Sequence, residues 1–150
     1  MYKRILVPVD GSPTGQLGFQ EAVKLAKDQH AALRIVHVVN DWLVISPDAS
    51  GADTGPAMQA LRAAGEALLQ KTEESARSAG VDAQSVLVDE IGERAGVQIV
   101  KQATDWPADL IVCGTHGRRG VRRLLMGSDA EYIVRNSPVP VLLLRSRTED

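Results

Sequence analysis

A chain of 150 residues, 44% apolar and 24% charged, fits one compact domain and calls for no second one. Its formal charge of -2 supplies no bulk attraction to nucleic acid or to a membrane surface. The single cysteine, Cys113, excludes an internal disulfide, and no stretch nears the roughly 18 apolar residues of a spanning helix, so a cytoplasmic protein is expected.

The first apolar run, Ile5 to Val9, is β-branched and ends in Asp10, Gly11, Ser12 and Pro13, which reads as a buried strand, a turn and a helix start. It is too short for the apolar core of a signal peptide. From Thr14 to about Gln29, Gly18, Ala22, Leu25 and Ala26 share a face, so an amphipathic helix follows. Leu33 to Val39 is a second strand. Asn40 to Pro56 holds two prolines, two glycines and four Asp or Asn residues and reads as a long loop. Ala57 to about Ala79 is composed of good helix formers, with Gly65 its weak point and Gly80 its left-handed stop.

Gln84 to Val88 makes a third strand and Arg94 to Thr104 a helix with Ala95, Ile99 and Ala103 in one stripe. Asp109 to Cys113 is the fourth strand, followed by a loop from Gly114 to Met126 that carries glycines and arginines. A helix over Ser128 to Arg135 and a fifth strand over Val139 to Leu144 close the chain. Strict β–α alternation with right-handed crossovers implies an α/β fold: a doubly wound, mostly parallel five-stranded sheet with helices on both faces. Ligands of such sheets settle outside the carboxyl ends of the strands where the order reverses. The site is therefore expected just after strands one, two and four.

The segment GTHGRRGVRRLLMGS has two residues between Gly114 and Gly117 and nine more before Gly127 and Ser128. Glycines at a strand end let backbone amides approach a phosphate, and a Gly-Ser pair opening a helix adds unpaired amides and a hydroxyl. No P-loop lysine follows, and no GxGxxG follows strand one.

In this spacing the chain resembles the universal stress protein family, whose ATP-binding members show glycine, two residues, glycine, nine residues, glycine and serine or threonine. The resemblance extends to the opening ILVPVDGS, the HVV ending strand two and the closing SPVPVLLLR. It implies an adenine nucleotide alpha hydrolase-like sheet of order 3-2-1-4-5 that holds ATP. Pro8, Val9 and Asp10 would flank the adenosine, with Asp10 reaching the ribose and Val38 offering backbone groups to adenine. Gly114 would lie near the ribose and α-phosphate. Gly117, Gly127, Ser128 and the Asp129 amide would take the polyphosphate, with Mg2+ or Mn2+ bridging its oxygens. Family members often carry a small or β-branched residue where this chain has Asp129, whose carboxylate would either repel a phosphate or help hold the metal. The resemblance also implies a homodimer, formed by antiparallel pairing of Val141 to Leu144, and an edge strand with exposed ladder groups agrees.

Several residues have a plainer reading. Asp10 is either a ligand or a helix cap, and Ser12, competing for the cap, leaves Asp10 to face the crevice. His37 and His116 have no partner at metal-ligand or triad spacing, and Cys113 reads as buried. Arg118, Arg119, Arg122 and Arg123 lack interleaved aromatics in a chain only 3% aromatic, which argues against nucleic acid. With no evident base or second-substrate pocket, the reading is a nucleotide-dependent switch, sensing stress through an unknown protein partner. A slow ATPase and a nucleotide-free dimer are the alternatives.

Overall fold

The first strand, β1 (Arg4–Pro8), shows why the sheet is covered on both sides: Ile5, Leu6 and Val7 are all fully buried, so successive side chains enter apolar layers on opposite faces. The structure, a computed structural model, describes residues 1–41, 53–116 and 126–146. After β1 come α1 (Pro13–Gln29), β2 (Ala32–Val38), α2 (Gly55–Ser78), β3 (Ala83–Val88), α3 (Ala95–Asp105), β4 (Leu110–Gly114), α4 (Ser128–Asn136) and β5 (Val141–Leu144).

All pairings are parallel and the order is β3-β2-β1-β4-β5, the doubly wound α/β arrangement expected. Ile5 stands between Leu33 of β2 and Leu110 of β4, so the chain leaves β1 toward one edge and later returns on its other side. The alternation of β1 sorts the core into two layers. Ile5 and Val7 pack with Phe19 and Ala22 of α1 and Leu69 of α2, while Leu6 packs with Ile99 of α3 and Ile133 of α4.

Local chemistry sets the element ends. Ser12 caps α1, its Oγ accepting from the Gly15 amide at 3.1 Å, and Pro13 follows with its φ preset for a first turn. Gly80 takes φ +87 after α2, the left-handed stop expected there. The helix itself starts at Gly55, two residues before the expected Ala57, because Pro56 is tolerated in a first turn. β5 starts at Val141 rather than Val139, since Pro140 gives its carbonyl to the Ile111 amide at 3.0 Å but has no N–H to donate.

Gly65 is required by geometry, against its helix propensity. A Cβ there would stand 2.6 Å from Cδ2 and 2.9 Å from Nε2 of His37. The ring is buried, with Nδ1 donating to the Val9 carbonyl at 2.7 Å. Gly65→Ala would gain up to about 1 kcal/mol of helix propensity. Overpacking against an anchored ring costs about 1–3 kcal/mol. Net destabilisation is expected in urea unfolding, and a more stable variant would show that the helix moves away from β2 without cost.

Candidate functional site

Where β1 parts from β2 and β4, the carboxyl ends of the strands open into a cavity of about 760 Å3, within the size range of small-molecule sites. Pro8, Val9, Asp10, Val38, Gly114, Gly127, Ser128 and Asp129 all lie in its wall. Gly117 and the four loop arginines fall outside the described residues.

The β1 side is built by a turn. Asp10 Oδ1 accepts from the Ser12 amide at 2.9 Å and from its hydroxyl at 2.5 Å, and that hydroxyl caps α1. Ser12 rather than Asp10 is therefore the helix cap, and Asp10 shapes the turn while lining the cavity. A side chain at Gly15 would press to 2.6 Å from Asp10 Oδ1. On the next strand, β1 pairs with β2 only as far as Pro8 opposite Val36, so Val38 overhangs the end of β1 at the cavity edge.

The β4 side depends on close backbone approach. A Cβ on Gly114 would meet the Thr14 carbonyl carbon and oxygen, each at 2.8 Å, so glycine is needed for packing whatever the cavity holds. Gly127 N donates to Thr115 O at 2.7 Å, which pins the start of α4 to the end of β4. Gly127 is the N-cap of α4 and supplies no side-chain cap, so among the described residues the leading amides of that helix have no side-chain acceptor. Such a terminus favours an anion.

The Asp129 side chain does something the sequence did not disclose. Its Oδ1 accepts from the Gly96 amide at 2.9 Å, in the first turn of α3, whose own N-cap residue Arg94 makes no side-chain cap. One carboxylate on α4 therefore caps its neighbour. Gly96 permits the approach, because a Cβ there would fall 3.0 Å from the Asp129 carbonyl oxygen.

His37 packs as expected and its ring also reaches the wall. His116 Nδ1 lies 3.0 Å from Thr115 Oγ1, its carbonyl accepts from the Thr14 hydroxyl, and its Nε2 is buried without a hydrogen-bond partner among the described residues. Residues after β3 were missed: Glu93, Arg94 and Ala95 line the cavity, as do Leu61 and Ala64 of α2. Every βα loop opens at the same end of a parallel sheet, so the segment after β3 reaches the cavity together with those after β1, β2 and β4. Asp41 follows β2 and was findable on position alone; it is 4% exposed and accepts from the Gly92 amide at 2.7 Å.

A profile of the universal stress protein family matches residues 1–145. The chain belongs to the universal stress protein family. Over 145 residues it is 37% identical to a putative universal stress protein of Staphylococcus saprophyticus, covering 97% of this chain and 84% of that one. The universal stress protein UspA from Lactobacillus plantarum superposes with a TM-score of 0.83 at 27% identity, covering 96% of this chain and 98% of that one. A universal stress protein in complex with cAMP superposes with a TM-score of 0.69 at 25% identity, covering 95% of this chain and 97% of that one. Among the described residues, no helix is long and apolar enough to cross a membrane.

In this universal stress protein the one thiol is a packing group. Burial pushes Cys113 up to about 12. A thiol whose folded value exceeds its unfolded one stabilises the fold fully below the unfolded value. That contribution is lost as pH climbs through the folded one. Stability is thus expected to fall between pH ~9 and ~12, and Cys113→Ala should flatten that part of the profile. At pH 8 the native thiol should react with a disulfide reagent at least ~100-fold more slowly than in urea. Equal rates would show an accessible thiolate.

Proposed function

We propose that this universal stress protein binds ATP in the cavity at the carboxyl ends of β1, β2 and β4, and acts as a nucleotide-dependent switch in the stress response. The carrying observation is the uncapped start of α4, fixed to the end of β4 by the Gly127–Thr115 hydrogen bond and facing the same cavity as Asp10 and Val38. A phosphate is the ligand such amides suit, and the cavity has room for a nucleoside beyond it. The structural relative holding cAMP supports an adenine nucleotide.

On this reading Pro8, Val9 and Asp10 flank the adenosine, Asp10 reaches the ribose, and Val38 meets adenine with its backbone. Gly114 lies by the ribose and α-phosphate, and Gly127, Ser128 and the Asp129 amide take the polyphosphate together with Gly117 of the motif. No group of three or more potential metal-ligating side chains occurs among the described residues. The ATP oxygens themselves would therefore supply most of the coordination to Mg2+ or Mn2+. The cytoplasm is the compartment in which such a protein would meet ATP.

β5 is the edge strand beyond β4, and Leu142 is 37% exposed on it. An antiparallel pairing of Val141 to Leu144 with a second copy would satisfy the free edge, giving a homodimer. Light scattering is expected to give twice the 16.1 kDa chain mass; a monomeric mass at micromolar concentration would reject this assembly.

Calorimetry on nucleotide-free protein tests the ligand. With magnesium present, one ATP per chain is expected to bind below the millimolar range, and no heat at millimolar ATP would overturn the reading. Gly127 has an ordinary φ of -61, so Gly127→Leu should fold with a nearly unchanged melting temperature. Its side chain would stand at the entrance to the α4 amides and weaken ATP binding by at least roughly tenfold.

A further inference from the structure

Resting on the nucleotide-binding reading, we infer that Asp129 makes this site select its ligand by charge, favouring nucleotides that bring little net negative charge to the α4 amides over metal-free di- and triphosphates. Four acidic residues line the described wall, Asp10, Asp41, Glu93 and Asp129, against one arginine, Arg94. Three of the four are tied to backbone amides: Asp10 to Ser12, Asp41 to Gly92 and Asp129 to Gly96. Of these, Asp129 alone stands in the first turn of α4, where a phosphate would dock.

The fixed position matters as much as the charge. An unanchored surface carboxylate would swing away from an arriving anion and let water and salt screen the rest. Asp129 is held by the Gly96 amide at 2.9 Å and half-buried against α3, so leaving would uncap that helix. A monophosphate brings up to about two negative charges and a triphosphate more. The repulsion at a separation of several ångströms, inside one Debye length of about 8 Å, therefore grows with each added phosphoryl group. A divalent ion on the phosphates cancels most of the increment. The device discriminates between ligands of one class without contacting base or sugar.

Asp129→Asn keeps an oxygen to accept from the Gly96 amide and removes only the charge. Affinities of AMP, ADP and ATP would be measured by calorimetry at fixed ionic strength, first with EDTA and then with magnesium, on nucleotide-free wild type and Asp129→Asn. In EDTA the variant is expected to gain roughly tenfold in ATP affinity relative to AMP, an amount typical of one partly screened charge pair. Magnesium should reduce that gain to within about threefold. An unchanged ATP-to-AMP ratio in EDTA, with nucleotides still bound, would overturn the charge role and leave the nucleotide reading standing. Loss of magnesium-dependent ATP binding in the variant would overturn it too, by making Asp129 a metal ligand. Failure of the wild type to bind any of the three would overturn the nucleotide reading itself. Melting temperatures supply a ligand-free check: Asp129→Ala, which leaves the Gly96 amide bare, should melt several degrees below Asp129→Asn. Equal values would show that no anchored carboxylate exists.

Discussion

The hydrogen bond from the Gly127 amide to the Thr115 carbonyl at 2.7 Å is the constraint on which the site depends. β4 ends at Gly114 and α4 begins at Ser128, with a connection between them too long to fix their relation by itself. This bond brings the helix start back to the strand it left, so the leading amides of α4 belong to the same cavity as the turn after β1. The rest follows from the packing of two backbones. Gly114 lies so near Thr14 that a Cβ has no space, and Gly18 of α1 leaves only 3.4 Å for a Cβ facing the Gly114 amide. The glycines bring α1 against β4, and the bond brings α4 to the same place.

Much of this was legible because parallel α/β folds write themselves in apolar runs. A strand with both faces covered cannot alternate, so ILV at β1 and LIVC at β4 read as buried strands without ambiguity. The Gly-Ser at 127–128 was legible as a helix start, since a glycine there has no side chain with which to cap the first amides. Gly65 pointed the wrong way on propensity, because its reason lies in a histidine 28 residues earlier that a helix scale cannot see. The start of β5 was blurred by Pro140, which accepts in the ladder but cannot donate.

What stayed hidden were the relations between segments far apart in sequence. The cap supplied to Gly96 by Asp129 spans 33 residues, and the tie between Asp41 and Gly92 spans 51. Neither has a local signature: Arg94 preceding α3 looks like an uncapped helix start, and Asp129 looks like an ordinary acidic residue in a first turn. Residues after β3 were passed over although the sheet is parallel and all its crossovers end at one side. Position in the fold, rather than residue type, brings Glu93, Arg94 and Ala95 into the cavity wall.

Asp129 connects the joint between α3 and α4 to the cavity wall. A helix start can be satisfied by its own cap, by water, by a ligand or by a side chain from elsewhere. Here α3 takes the last route, the first turn of α4 has no side-chain cap among the described residues, and Asp129 serves α3 with its side chain while lying in the cavity wall. A neutral residue at this position would free the α4 amides from a nearby negative charge but leave α3 without an acceptor. A carboxylate caps α3 and would set a threshold for an anion at α4. On the nucleotide-binding proposal, the carboxylate that caps α3 would also bias what the site binds, tying ligand charge to the joint between α3 and α4.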